Sequence, residues 1–260
     1  MQVLNNSQNL DSFFNSLADQ TSGVLLLDYD GTLAPFQLER DAAVPYSGVR
    51  ERLVKLIESP RTRVIIISGR WTRDLVPLIG LEQLPEIWGC HGAERMGTDG
   101  SYEIASLPEE VVEGLVNAED WARAEGLEKY CERKPISVAF HWRGLPDNVS
   151  GDIATKVRGR FVNAPMTPSL VLKEFDGGLE LKYADITKAR AVSNILEEVS
   201  PETPIAYLGD DLTDEDAFRA LDGHGLRVLV RPKLRDTAAD VWLQPPGELL
   251  EFLDRWLDAT

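Results

Sequence analysis

The sequence predicts an α/β fold in which a parallel-sheet core carries an inserted α+β unit. Continuous apolar runs within the first 70 residues have the length and the β-branched content of buried parallel strands. Runs of the same kind recur after residue 200, whereas the stretch between follows a different pattern. Because 43% of the 260 residues are hydrophobic, the chain is able to bury a large core.

The first elements are a strand, a helix and a second strand. Residues 24–27 and 64–67 are the two apolar runs, and we expect both to be buried strands. Between them, apolar residues repeat at the spacing of a helix: Val49, Leu53, Leu56 and Ile57.

The end of the chain continues the same α/β pattern. Residues 205–208 and 228–230 predict two further strands. Apolar residues at helical spacing predict a closing helix: Leu249, Leu250, Leu253, Trp256 and Leu257. We therefore expect both ends of the chain to build one α/β domain.

The middle of the chain predicts a helix, two strands, a helix and two strands. Residues 109–125 and 147–161 have helical patterns, while residues 131–143 and 170–182 each predict a strand pair broken by a turn. This order describes a small α+β unit. The predicted domains are a core of residues 1–106 and 185–260 and an insert of residues 107–184.

Two carboxylates follow the first predicted strand, in the segment LLLDYDGTL. Asp28 and Asp30 lie where the strand ends, and ligands of open α/β sheets gather at the carboxyl ends of strands. Gly31 allows a sharp turn that lets backbone groups face a ligand. An ordinary surface loop can also contain Asp-x-Asp-Gly, so this segment alone leaves both interpretations open.

Polar groups also follow the second and third core strands. Ser68 precedes Gly69 and Arg70, and this segment offers a hydroxyl and backbone N–H groups to an anion. Asp210 and Asp211 follow the strand at 205–208. Both segments lie where parallel strands end, as Asp28 does.

Each of these segments has a structural alternative. Ser68 is suited to capping a helix, and Lys188, at the predicted start of the helix before the third strand, is suited to the surface. Asp214, Glu215 and Asp216 are suited to the first turn of a helix, which is the preferred interpretation for Glu215. The joint occurrence of the segments at strand ends favours a binding site.

Together the four segments resemble the four motifs of the haloacid dehalogenase phosphatase superfamily. DxDGTL, Ser-Gly-Arg, a lysine and GDDxTDEDAF occur in that order over nearly the whole chain. Within the superfamily they most resemble the trehalose-6-phosphate phosphatase family. The resemblance implies a Rossmann-like parallel-sheet core with an inserted αββαββ cap domain.

Further segments resemble the sugar-binding pattern of that family. They are CHGAE at residues 90–94, Glu-x-Lys and His-x-Arg in the first strand pair of the insert, and LELK in the second. The substrate-binding residues that the resemblance implies are Gly69, Arg70, His91, Glu94, Glu132, Lys134, His141, Arg143 and Glu180. For the residues of the insert, a solvent-facing sheet with cross-strand charge pairs is the alternative.

Two departures from the family pattern stand out. Ala189 follows Lys188 where the family usually has glycine, and Cys90-His91-Gly92 stands where the family has Asn-His-Gly. The second change bears on which sugar is bound more than on the chemistry.

The resemblance implies magnesium-dependent hydrolysis of a small phosphorylated sugar, trehalose 6-phosphate. Asp28 is the implied nucleophile, which forms an aspartyl phosphate, and Asp30 is the implied acid and base. Ser68 and Lys188 hold the phosphoryl oxygens.

The same resemblance implies a ligand set for Mg²⁺. The metal ligands are Asp28, Asp210 and the backbone carbonyl of Asp30, and Asp211 and Asp214 orient ligands or water around the ion. Carboxylate and carbonyl oxygens without a His or Cys cluster suit a hard cation.

Three other functions remain open from the sequence. The first is a phosphatase for another sugar or sugar acid, such as sucrose phosphate or a mannosyl- or glucosyl-glycerate phosphate. The second is a non-catalytic sugar-phosphate sensor, which predicts damage to the nucleophile or the metal ligands. The third is a phosphoacceptor switch like bacterial receiver domains, which needs neither a sugar-binding insert nor an acid for a leaving group.

Charge and composition exclude several partners. A formal net charge of -16 provides no basic face for nucleic acid. The first residues have no basic segment followed by an apolar run, and the chain has no membrane-length apolar stretch, so we expect a cytoplasmic protein without membrane partners. We also expect a monomer. Cys90 and Cys131 are too few for a disulfide framework or a zinc site.

Overall fold

A computed structural model describes residues 1–5, 10–37, 39–162, 167–175 and 177–260. The chain divides into two compact units: Met1–Glu103 with Thr187–Thr260, and Ile104–Ile186. The predicted insert, residues 107–184, lies inside the second unit. Its role as a cap that reads the substrate stays a prediction.

The strands are short, as is usual for an α/β protein. In chain order they are β1 (Gln2–Val3), β2 (Gly23–Leu27), β3 (Thr62–Ile67), β4 (Glu86–Gly89), β5 (Glu94–Met96), β6 (Tyr102–Ile104), β7 (Cys131–Lys134), β8 (Ser137–His141), β9 (Leu170–Phe175), β10 (Gly178–Tyr183), β11 (Ile205–Gly209), β12 (Leu226–Val230) and β13 (Val241–Leu243).

Most helices of the first unit lie between consecutive strands, and a helix precedes each strand pair of the second unit. They are α1 (Leu10–Asp19), α2 (Val49–Glu58), α3 (Thr72–Ile79), α4 (Glu109–Ala124), α5 (Asp147–Phe161), α6 (Lys188–Glu198), α7 (Leu212–Ala220) and α8 (Gly247–Ala259). Short 3₁₀ turns lie at Arg40–Ala42, Cys90–Gly92 and Glu128–Tyr130. None of the helices in the described part of the chain is long and apolar enough to cross a membrane.

Among the described residues, nine strands form one sheet in the order β1-β13-β12-β11-β2-β3-β4-β5-β6. The strands from β13 to β4 are parallel, while β1 and β5 pair antiparallel at the two sides. β11, β2 and β3 are therefore neighbours in the middle of the sheet. Their carboxyl ends meet at one edge, where the predicted motifs lie.

Strand alternation gives the core sheet two apolar faces. Leu25 and Leu27 of β2 pack with α1, α2, α3 and α8 on one face, whereas Val24 and Leu26 pack with α6 and α7 on the other. All four side chains are buried, and each contributes about 1.5–3 kcal/mol when fully removed from water. This double burial explains why the strand is apolar throughout.

The second unit is an antiparallel sheet with helices α4 and α5. The strand order is β7-β8-β10-β9. Trp121 of α4, Phe140 of β8 and Phe161 of α5 form an aromatic cluster with ring centroids 5.1–6.0 Å apart. The predicted fold class, a parallel-sheet core with an αββαββ insert, is confirmed.

One predicted strand end is wrong. β8 ends at His141, so Arg143 lies in the following turn and not on the strand. Gly144, with φ of 77°, turns the chain there, and the Trp142 N–H donates to the carbonyl of Gly177 at 2.8 Å. The predicted turn between β9 and β10 includes Asp176, which lies outside the described residues.

Candidate active site

Three neighbouring strands bring the predicted core motifs together. Asp28 follows β2, Ser68 follows β3 and Asp210 follows β11. The order β11-β2-β3 places all three at one edge of the sheet. Their side chains are buried, with 0–3% of each residue exposed.

Lys188 binds the carboxylate of Asp28 directly. Its Nζ donates to Asp28 Oδ1 at 2.6 Å, while the Thr32 hydroxyl donates to Asp28 Oδ2 at 3.0 Å. Lys188 is the first residue of α6, which Thr187 caps by accepting a hydrogen bond from the Arg190 N–H. Although burial alone would lower the pKa of Lys188, the carboxylates of Asp214 and Asp28 raise it, so the ammonium stays charged.

Asp214 binds both Lys188 and the backbone of Asp210. Its Oδ1 accepts hydrogen bonds from Lys188 Nζ at 2.7 Å and from the Tyr207 hydroxyl at 2.6 Å. Its Oδ2 accepts from the backbone N–H groups of Asp210 and Asp211, at 3.0 and 2.9 Å. Because both oxygens are already occupied, Asp214 is suited to orient its neighbours.

Asp28, Asp210 and Asp214 form a cluster with the properties of a cation site. One carboxylate oxygen from each lies within 4.8 Å of the others. Asp210 Oδ1 is buried and accepts no hydrogen bond from any residue that the structure describes. A divalent cation fits this set, because it satisfies the bare oxygen and offsets the clustered negative charge.

The pKa values of two of these carboxyls reflect the crowding. Burial raises the pKa of Asp28 to about 7, with Lys188 opposing and Asp214 adding to the shift. Burial and the charges of Asp28 and Asp214 raise the pKa of Asp210 to about 9. Both shifts reflect the cost of burying several carboxylates close together, which a divalent cation would offset.

Gly31 is required beside Asp210. Its φ is 85°, in the left-handed region that favours glycine, and a Cβ at this position would lie 2.2 Å from Asp210 Oδ2. Any side chain here would displace the Asp210 carboxylate.

Asp30 forms a bidentate ion pair with Arg70. Arg70 Nε lies 2.7 Å from Asp30 Oδ2, and Nη2 lies 2.6 Å from Oδ1. The guanidinium also lies 5.9 Å from the centroid of the Tyr29 ring. The predicted roles of Arg70 in substrate binding and of the Asp30 carbonyl in metal binding stay predictions.

Ser68 does not cap the following helix, so that alternative is wrong. α3 begins at Thr72 and its N-cap is Trp71. Ser68 Oγ instead accepts the Arg70 N–H at 3.1 Å, and its carbonyl accepts the His91 N–H at 2.8 Å. The hydroxyl is thus held beside the strand ends, where we predicted it.

The His91 ring packs directly on Gly69. A Cβ on Gly69 would lie 2.8 Å from the ring, so only glycine allows this approach. The ring is placed by an unusual backbone, because Cys90 and His91 have φ of 48° and 60°. Two successive non-glycine residues in this region indicate local strain.

We expect Cys90→Asn to stabilise the protein. Asparagine tolerates the left-handed region better than cysteine does, and its amide is positioned to donate to Glu94 Oε2, which lies 3.5 Å from the Cys90 sulfur. The gain should be roughly 0.5–1 kcal/mol, which raises Tm by about 1–4 °C in differential scanning calorimetry. The control is Cys131→Asn, on extended β7, which should not raise Tm. A lower Tm for Cys90→Asn would contradict the strain argument.

Glu94 is buried and supports the start of α3. Its Oε2 accepts from the backbone N–H and the hydroxyl of Thr72, at 2.9 and 3.1 Å, and its Oε1 accepts from the Tyr102 hydroxyl. A carboxylate at a helix N-terminus is favoured by the helix dipole. The predicted contact of Glu94 with substrate stays a prediction.

The second unit has a polar sheet face opposite its helices. The register places Glu132 beside Ala139 and Ala139 beside Glu180, so these positions share one face. Glu180 Oε1 accepts from Lys134 Nζ at 3.2 Å and from the Ser137 hydroxyl at 2.7 Å. The other polar pair joins His141 Nε2 and Glu132 Oε2 at 2.8 Å.

The sequence model of the trehalose-phosphatase family matches residues 26–240, which include all the site residues named so far. The chain belongs to the trehalose-phosphatase family. It is 32% identical over 247 residues to a trehalose-phosphate phosphatase of Mycobacterium bovis (strain BCG / Pasteur 1173P2). That match covers 89% of this chain and 60% of the relative, so the chain spans about 60% of the length of such relatives.

Solved structures resemble this member of the trehalose-phosphatase family in fold. The C-terminal domain of Candida albicans trehalose-6-phosphate phosphatase superposes with a TM-score of 0.79 at 21% identity, covering 100% of both chains. A phosphatase of the haloalkanoate (HAD) superfamily from Bacteroides thetaiotaomicron superposes with a TM-score of 0.61 at 18% identity, covering 92% of this chain and 96% of that one.

Several residues that shape the site of this trehalose-phosphatase family member were not predicted. Thr32 binds the nucleophile candidate and Tyr207 binds Asp214. Glu215 lies in the first turn of α7 as predicted, but it is buried and accepts from the Thr237 hydroxyl and the Ala238 N–H, both at 2.8 Å. Of these residues, only Thr32 could have been predicted from local sequence, because it lies in the DGT segment.

Proposed function

We propose that this protein is a magnesium-dependent phosphatase that hydrolyses trehalose 6-phosphate through an aspartyl phosphate on Asp28. The observation that carries the proposal is the contact of Asp28 with Lys188, beside the bare oxygen of Asp210. The proposed nucleophile, a cation and a proposed metal ligand thus lie together at the edge of the sheet where the parallel strands end. The curated names of the relatives support the choice of substrate.

Asp28 is the nucleophile of the proposed reaction. One of its oxygens bonds to phosphorus as the bond from phosphorus to the sugar oxygen breaks, and Asp30 gives that oxygen a proton. In the second step a water attacks phosphorus and Asp30 takes a proton from that water. The bond from phosphorus to the Asp28 oxygen breaks, which frees inorganic phosphate and restores the Asp28 carboxylate. Asp30 must leave its ion pair with Arg70 to serve either step.

Lys188 and Ser68 hold the phosphoryl oxygens while these bonds change. Lys188 also offsets the charge of Asp28, which reduces repulsion between the carboxylate and the anionic ester. Asp28, Asp210 and the carbonyl of Asp30 would hold Mg²⁺, which supplies further charge neutralisation at the phosphate when bound.

The polar face of the second unit is the proposed binding surface for the sugar. Four side chains offer hydrogen-bond donors and acceptors on one sheet face: Glu132, Lys134, His141 and Glu180. Sugar hydroxyls need partners of this kind. Arg143, in the turn after β8, lies at the His141 end of the same sheet.

Phosphate release from a panel of sugar phosphates tests this function. With Mg²⁺ present, we expect trehalose 6-phosphate to have the highest kcat/KM among trehalose 6-phosphate, sucrose phosphate, glucosyl- and mannosyl-glycerate phosphates and glucose 6-phosphate. A higher kcat/KM on another ester would keep the mechanism and replace the substrate. Absence of phosphate release from every ester would refute the function.

We expect Mg²⁺ to stabilise the protein increasingly as pH rises. The raised pKa values of Asp28 and Asp210 mean that the metal-free folded state binds more protons than the unfolded state from pH 3.8 up to about 7 and about 9. Its free energy of unfolding therefore falls as pH rises through this window. Because Mg²⁺ displaces those protons, its stabilisation should grow over the same window.

The measurement is Tm with and without Mg²⁺ after treatment with EDTA. At about 100 times its Kd, Mg²⁺ should add about 2.7 kcal/mol, which corresponds to about 5–10 °C in Tm for a chain of this length. Asp210→Asn should largely lose the shift. A shift that is absent or independent of pH would count against the ligand assignment, as would full activity after chelation.

Glu132→Ala should separate sugar binding from phosphate chemistry. If Glu132 binds sugar hydroxyls, kcat/KM for trehalose 6-phosphate should fall by roughly tenfold to a thousandfold, while that for p-nitrophenyl phosphate should change far less. The matched control is Glu174→Ala, because the register places Glu174 beside Leu179 on the opposite face of the same sheet. Equal losses on both substrates would assign Glu132 to folding or closure instead.

A further inference from the structure

We propose that Arg235 is a positioning residue that fixes the backbone of the Asp210 metal ligand. This inference rests on the proposed function, because it concerns the site that Mg²⁺ would occupy. The 210–211 segment is bound from two sides by groups of opposite charge: the Asp214 carboxylate and the Arg235 guanidinium. Asp214 and Arg235 can affect the metal ligand Asp210 without contacting the substrate.

The two sides of the segment have complementary partners. Asp214 Oδ2 accepts the N–H groups of Asp210 and Asp211 at 3.0 and 2.9 Å. Arg235 Nη2 donates to the carbonyls of the same two residues at 3.0 and 2.9 Å, and its Nε donates to the Asp210 carbonyl at 3.3 Å. An anion thus holds both N–H groups, and Arg235 holds both carbonyls. Arg231 Nη1 also donates to the Asp210 carbonyl, at 3.2 Å, but not to that of Asp211.

Glu215 fixes Arg235 in turn. Its Oε1 pairs with Arg235 Nη1 and also accepts the Thr237 hydroxyl at 2.8 Å, while Oε2 accepts the Ala238 N–H at 2.8 Å. Glu215 is 5% exposed, so these bonds are shielded from water. The buried carboxylate at the start of α7 therefore orients the guanidinium.

Restraint of this segment bears on metal affinity because Mg²⁺ requires near-ideal octahedral geometry. Asp210 Oδ1 accepts no hydrogen bond from the described residues, so its position depends on the backbone that carries it. Outer partners of metal ligands typically change metal affinity by about 10–100-fold. A guanidinium is suited to this task because its planar fork reaches two carbonyls at once.

Mg²⁺ affinity of the whole protein tests the inference. Isothermal titration calorimetry of the metal-free protein with MgCl₂ should show Kd raised by about 10–100-fold in Arg235→Ala. Arg235→Lys should recover part of the affinity, because an ammonium replaces the charge but not the fork. Glu215→Gln should weaken binding less than Arg235→Ala does.

The matched control is Arg219→Ala. Arg219 lies on α7 and pairs with Asp216 at 2.8 Å on the surface, away from the 210–211 carbonyls, so Kd should stay at the wild-type value. Circular dichroism and Tm show whether each variant is folded. Should Arg235→Ala not fold, the lysine variant and Glu215→Gln decide the question.

The outcomes separate this inference from the proposed function. Wild-type Kd in a folded Arg235→Ala, or in both Arg235→Lys and Glu215→Gln, would overturn the positioning role and leave the function intact. An equal loss in Arg219→Ala would overturn it as well. A wild-type protein that neither binds Mg²⁺ nor releases phosphate would refute the proposed function itself.

Discussion

Asp28→Asn should reduce turnover of trehalose 6-phosphate by more than about 10⁴-fold, because an amide cannot form the acyl phosphate. The fold should survive, since asparagine has nearly the same shape and keeps an acceptor for Lys188 or Thr32. The variant removes a carboxyl whose pKa burial raises to about 7, so the metal-free Tm above that pH should not fall. Phosphate release and calorimetry measure the two effects.

The control for this variant is Asp216→Asn, which removes an exposed carboxylate on α7. It should keep wild-type turnover. Near wild-type activity of folded Asp28→Asn would remove Asp28 from the role of nucleophile. A large fall in the Tm of Asp28→Asn would instead indicate that the Asp28 carboxylate mainly stabilises the fold at the end of β2.

Asp30→Asn should reduce turnover of trehalose 6-phosphate by about 10²–10⁴-fold, because the departing sugar oxygen needs a proton. p-Nitrophenolate departs without one, so p-nitrophenyl phosphate should still phosphorylate Asp28. The second step lacks its base, and we expect a burst of about one p-nitrophenol per active site followed by slow turnover. Stopped-flow absorbance measures the burst.

Arg70→Lys is a useful companion, because it breaks the bidentate pair with Asp30 and keeps the charge. It should retain multiple turnovers on both substrates and show no burst. Equal losses on both esters for Asp30→Asn, without a burst, would contradict the acid and base assignment. Asp30 would then serve chiefly as the partner of Arg70.

Local sequence was sufficient for the core motifs and most of the fold. Apolar runs located β2, β3, β11 and β12, and parallel strands bring their carboxyl ends to one edge without further information. Asp28, Ser68 and Asp210 follow those strands directly, so their shared position could be predicted. The helical pattern at residues 147–161 also matches α5.

Contacts between distant segments were not readable in the same way. Arg235 reaches Asp210 across 25 positions, and nothing near it in the sequence indicates a partner. The Arg70 and Asp30 pair is similar, because each residue lies in a recognisable motif while their pairing depends on the sheet. Arg143 was misplaced because a glycine turn ends β8 early.

One helix that we did not predict has a recognisable sequence pattern. α1 is absent from the predicted elements, although its buried side chains follow helical spacing: Leu10, Phe13, Phe14 and Leu17. Short strands such as β13, with three residues, carry too little pattern to be recognised.

The central position of β11 has a consequence for synthesis on the ribosome. β11 begins at Ile205 yet pairs with β2, which ends at Leu27. Until the later segment emerges, roughly 10–40 s at usual rates of elongation, the nascent chain presents β2 as an unpaired apolar edge. Lys188, Asp210 and Asp214 are also missing at that stage, so a nascent chain that ends before Asp210 lacks the carboxylate cluster of the site.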